Sequence, residues 1–87
     1  MPPRDPRFCP ALERALPVDS PGRDPGYRSD QSPYLFLFGD GEFHPVTVVA
    51  WWTDRHGRWV VQVNWHIDGS TYDESYVVDH ARMRSID

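Results

Sequence analysis

The sequence contains no lysine, and all nine of its basic residues are arginine. Codon usage in a GC-rich genome accounts for that more simply than any special arginine chemistry. Cysteine is nearly absent too: Cys9 stands alone, which excludes an internal disulfide and a cysteine-based zinc site. A secreted domain of this size ordinarily carries several disulfides, so the cytoplasm is the expected compartment. The N-terminal stretch MPPRDPRFCPALERALPVD has no long apolar run, and neither a signal peptide nor a membrane anchor is expected there. Positive charge is in deficit, the formal net charge being −4. Proteins that hold nucleic acid through its phosphates usually carry a basic face. A broad phosphate-binding surface is therefore not the first expectation.

Catalytic and metal-binding patterns are also missing. None of the spacings H-x-x-H, H-x-x-x-H or H-E-x-x-H links His44, His56, His66 and His80, so no metal site is expected. There is no glycine-rich phosphate loop and no G-x-S-x-G elbow. Asp73 and Glu74 are adjacent, and neighbouring strand residues point to opposite faces, so they are a poor acid–base pair. Cys9 lies among prolines, where nothing holds a base beside it. The expectation is no catalytic residue, no cofactor and no enzyme.

Aromatic residues are plentiful: four Trp, four Tyr and four Phe. A chain of 87 residues makes one domain at most. Small domains are marginally stable alone. Each large ring can bury about 150–250 Å², which builds a core economically. The same rings also build binding surfaces.

Proline divides the chain. Residues 1–33 hold eight of the nine prolines, with five Arg and five acidic residues in balance. Proline removes donors and fixes φ, which discourages long helices and central strands. This segment reads as a tail, flexible or packed, with room for one helical turn at Ala11–Leu16. Residues 34–87 carry the net negative charge and form the expected domain.

Within that domain, strands are expected over about 34–38, 46–53, 58–66 and 71–78, with a short last strand at Ser85-Ile86. Gly39–Glu42, Asp54–Gly57 and Asp68-Gly69 supply the turns. Residues 79–84 read as one helical or 3-10 turn capped by Asp79. Strand alternation gives the hairpin an apolar face of Trp59, Val61, Val63 and Trp65, opposite Trp52, Ala50, Val48 and Val46. The fold class is mainly β: a small antiparallel sheet, or an SH3-like partly open barrel of four or five strands that curls to protect its edges.

The run W-x-x-x-x-G-R-W-x-V-x-V-x-W from Trp52 to Trp65, followed by DHARMRSI, resembles small SH3-like or Tudor-like β-barrel modules in proteins of GC-rich bacteria. The resemblance spans roughly residues 45–86. It implies a protein- or peptide-binding groove lined by aromatics and acidic loops. The ALYDY signature of peptide-binding SH3 domains has no counterpart here, which puts proline-peptide recognition in doubt.

Regular alternation leaves Val49, Trp51, Val60, Gln62 and Asn64 on the hairpin's other face. That mixed surface suits a protein partner or self-association; cover by the tail is the structural alternative for Trp51. Tyr34, Tyr72 and Tyr76 form a possible aromatic rim able to receive a cation, or else ordinary sheet packing. Arg55, Arg58, Arg82 and Arg84 form a possible nucleic-acid contact set, weakened by the acidic residues among them. The leading expectation is a noncatalytic interaction or accessory module. A small nucleic-acid-binding barrel ranks second, and a metal- or small-molecule-binding protein third.

Overall fold

The structure, a computed structural model, describes residues 6–19 and 28–86, with side chains for 7–18 and 32–86. Five strands form one antiparallel sheet: β1 (Arg28–Leu37), β2 (Phe43–Thr53), β3 (Trp59–Ile67), β4 (Ser70–Val77) and β5 (Met83–Ser85). Their order across the sheet is β4-β3-β2-β1-β5.

Short-range chemistry sets the corners. Asp68 (φ 50°) and Gly69 (φ 79°) form the two-residue loop between the paired Ile67 and Ser70. A tight hairpin of this kind needs positive φ at both central positions, which Asp-Gly tolerates. At the β2–β3 turn, Gly57 takes φ 79°. Asp54 organises that turn: its carboxylate accepts the backbone N–H groups of His56 (2.8 Å) and Arg58 (2.9 Å) and the Arg58 Nε–H (2.8 Å).

A β-bulge decides which side chains meet. Val48 pairs with Val63 and Ala50 with Gln62, so β2 carries one extra residue, Val49, at that point. An extra residue reverses the facing of everything beyond it. Val46 and Val48 face the main core, but beyond the bulge it is Trp51 that joins them, and Trp52 turns to the other face. This corrects the expected core pairs. Trp52 lies opposite Val60 rather than Trp59, and Trp59 pairs with Thr53 and is 47% exposed.

The main core contains Phe36, Phe38, Val46, Val48, Val61, Val63, Trp65, Tyr76 and Met83. A second, smaller cluster of Ala50, Trp52 and Val60 lies on the opposite face, with Ala15 packed on it.

The barrel expected from the sequence is corrected to an open sheet. β5 has only three residues, and β4 and β5, the two edges, do not pair. Part of the β4 edge is taken by residues 9–15, an extended strap. The Ala11 N–H donates to the Leu37 carbonyl (2.8 Å) and the Gly39 N–H to the Cys9 carbonyl (3.0 Å). Further along, the Ala15 N–H donates to the Ser75 carbonyl (3.0 Å) and the Val77 N–H to the Glu13 carbonyl (2.8 Å). The strap thus crosses from the end of β1 to the edge of β4, adding Leu12 to the main core. Residues Ala11–Leu16 are therefore extended rather than helical; short 3-10 turns occur instead at Pro6–Phe8 and Pro17–Asp19.

The C-terminal helical or 3-10 turn is likewise corrected. Asp79 accepts the Ala81 N–H through its side chain (3.0 Å) and the Arg82 N–H through its carbonyl (3.0 Å), but the segment is a plain turn leading into β5. A short Asx-type turn satisfies these donors without a following helical residue run.

Candidate functional site

The five residues expected to share the hairpin's outer face do not form one surface. Val60, Gln62 and Asn64 lie on that face, but Val60 is fully buried (0% exposed) in the smaller cluster. Gln62 Nε2 donates to Asp73 Oδ1 across to β4 (2.9 Å). Val49 sits in the bulge, half-buried. Trp51 points to the main core and meets Tyr34 edge-on, with ring centroids 5.8 Å apart. The bulge is the physical reason: alternation counted straight through Val-Val-Ala-Trp-Trp gives the wrong facing for both tryptophans.

The three tyrosines all lie on the core side and are packing residues. Tyr76 is 1% exposed, and its hydroxyl donates to Glu74 Oε2 (2.7 Å). Tyr72 stacks on Trp65 at 5.6 Å and 23°. Tyr34 meets Phe36 as well as Trp51. Their ring contacts are made with neighbours on the core face: Tyr34 edge-on, Tyr72 stacked, Tyr76 tilted against Trp65. Trp65 in turn donates its indole N–H to the Phe8 carbonyl (3.2 Å), tying the segment just before the strap to the core.

The four arginines do not gather. Arg55 lies in the 54–57 turn and Arg58 follows it, whereas Arg84 pairs with Leu35, whose β2 neighbour Pro45 lies toward the far end of that strand. Arg58 is held by Asp54 (2.8 Å) and approaches Glu13 (3.4 Å), and Arg82 is held by Asp79 (2.7 Å). Burial pushes the Asp54 carboxyl up, but the N–H and guanidinium of Arg58 and the N–H of His56 outweigh it and hold it below its ordinary value of 3.8. The Arg58 guanidinium is pushed up by the same carboxylate. Asp40 is also lowered, first by the Glu42 N–H and then by His44, whose Nε2 lies 2.7 Å from it.

His66 Nδ1 lies 2.9 Å from Thr71 Oγ1, and His56 and His80 are exposed. Among the described residues, no group of three or more His, Cys, Asp or Glu is placed to hold a metal ion, which argues against the metal-binding alternative. An open cleft of about 370 Å³ lies beside the strap, lined by Glu13, Val77, Val78, Asp79, His80 and Arg82. Its acids are already engaged, Asp79 by Arg82 and Glu13 by Arg58. No helix among the described residues is long and apolar enough to cross a membrane.

One surface escaped the sequence reading. Phe36 and Phe38 fill the core, so their strand neighbours Leu35 and Leu37 face outward, beside their β2 partners Pro45 and Phe43. Leu35, Leu37 and Phe43 are half-buried and Pro45 exposed, and none of them belongs to either buried cluster. Arg84 borders this area and lays its guanidinium over the Phe43 ring, 4.1 Å from the centroid. The sequence signal was present in the unbroken apolar run Tyr34–Phe38: a strand apolar at every position is apolar on both faces.

No family model matches this chain, and neither a curated protein nor a solved structure does.

Proposed function

We propose that the chain is a noncatalytic protein-interaction module that binds through the outer face of β1 and β2. The observation that carries this reading is the contiguous apolar area of Leu35, Leu37, Phe43 and Pro45 outside both buried clusters. Contiguous apolar area bordered by a charged residue is characteristic of protein-binding surfaces. This moves the interface from the central hairpin to the neighbouring strand pair. The hairpin's own outer face is occupied by Trp52 and Val60, sealed at 1% and 0% exposure.

Photo-crosslinking in the cell of origin tests the reading. A photoreactive residue is placed at Leu35 or, as a control, at the exposed Thr71 on β4. The expected result is a protein adduct from Leu35 alone, lost when Phe43→Asp is added. Adducts from both positions alike, or from neither, refute it.

A further inference from the structure

Arg14, Arg58, Arg82 and Arg84 differ in what holds them. Arg14 has Glu74 (3.1 Å), Arg58 has Asp54 and Glu13, and Arg82 has Asp79. Arg84 has no carboxylate among the described residues and is held by the Phe43 ring alone. Stacking on an aromatic face fixes the guanidinium plane and leaves its N–H edges directed outward. A planar fork held in this way is suited to a carboxylate, which it can grip through two parallel hydrogen bonds. Arg84 pairs with Leu35 across the sheet, and Phe43, beneath its guanidinium, pairs with Leu37.

We infer that the outer face of β1 and β2 docks a segment of a partner protein that presents a carboxylate beside an apolar side chain. The carboxylate would meet Arg84 and the apolar group would cover Leu35, Leu37 and Phe43. This inference rests on the interaction-module reading and names the chemistry of its partner. Charge complementarity selects a foreign segment over a second copy. The outward positions Leu35, Leu37, Phe43, Pro45 and Arg84 include no acid, so the patch packed on itself would offer Arg84 no counter-charge. Pairing two β5 edges would also bring the Arg82 and Arg84 side chains of both copies together, and like charges across strands are destabilising.

The test is selection of random dodecapeptides displayed on phage against the immobilised full chain. Recovered peptides are synthesised and their affinities measured by fluorescence anisotropy. The expected peptides place Asp or Glu next to Leu, Ile, Val or Phe. Their binding should weaken about tenfold with Arg84→Gln, the loss of one charge-assisted contact. Arg84→Lys should restore little of it, because an ammonium keeps the charge and loses the fork. Phe43→Leu removes the ring that holds the fork and should weaken binding together with the preference for an acid. Circular dichroism confirms that each variant is folded, and Arg84 is exposed, so its replacement leaves the core alone. Peptides without an acid, affinity indifferent to Arg84→Gln, or a dimer that forms through this face overturn the inference. Peptides whose amide shift changes map to another face overturn it while leaving the module reading intact. If no peptide is recovered the inference falls, and the crosslinking result then decides the module reading separately.

Discussion

Replacing Trp52 and Trp59 one at a time tests the bulge at Val49 directly. Unbroken alternation would make these two rings equal partners in one core pair. The structure makes them unequal: Trp52 is 1% exposed within the smaller cluster and Trp59 is 47% exposed beside the turn. Removing a fully buried Trp to Ala typically costs about 3–5 kcal/mol, the transfer term plus the cavity left behind. Trp59 is half in water and leaves no closed cavity, so Trp59→Ala should cost less than about 2 kcal/mol. At about 0.05–0.15 kcal/mol per residue, a chain of this length has on the order of 4–13 kcal/mol in total. Trp52→Ala therefore removes a larger share of that total than Trp59→Ala. Urea unfolding followed by far-UV circular dichroism reads the difference without relying on the fluorophores being removed. With a slope near ~1 kcal/mol per molar urea for a small domain, the two midpoints should differ by roughly 2 M. Trp52→Phe should fall between them. Equal losses, or a larger loss from Trp59→Ala, would refute the bulge and the two-faced placement of Trp51 and Trp52.

Other outcomes follow from individual contacts. Asp54 has its folded pKa below the ordinary 3.8, so its stabilising effect is complete above about pH 5 and disappears as pH falls through the folded value. The stability difference between the wild type and Asp54→Asn, measured by urea unfolding, should be constant from pH 5 to 7 and shrink below 3.8. Tyr76→Phe removes the hydroxyl that donates to Glu74 and should cost about 1–2 kcal/mol in thermal or urea unfolding, since hydrogen bonds to charged groups are the stronger ones. Deleting residues 1–16 removes the acceptor of the Val77 N–H and should speed its hydrogen exchange by more than about tenfold, while the Val61 amide in the central strand is less affected.

What the sequence made legible was local or periodic. Asp68-Gly69 and Gly57 mark their turns because positive φ restricts the residues that fit there. The period-two pattern Val61-Gln62-Val63-Asn64-Trp65 fixes the faces of β3 correctly. Val49 carries no such mark. It lies in Val48–Trp52, where every residue is apolar, and neither facing leaves a polar group buried, so the bulge is invisible to alternation. The strap was hidden for a different reason. Pro10 and Pro17 suggest a loop, yet the strap's stabilising bonds are backbone contacts to Leu37, Ser75 and Val77. Such bonds depend on tertiary placement and leave no side-chain signature. The outer patch was concealed by its own neighbours, because Leu35 and Leu37 alternate with core phenylalanines within one apolar run.

The strap also orders events during synthesis. Arg14 bridges to Tyr76, so the N-terminal side of this contact is made roughly sixty residues before the other. At about 5–20 residues per second, Glu13 and Ala15 wait several seconds for an edge to join. The β2–β3 hairpin can close meanwhile, across its short turn. Fastening of the strap therefore comes after β4 has been made, and a chain halted before Val77 keeps Leu12 and Ala15 without their full set of partners.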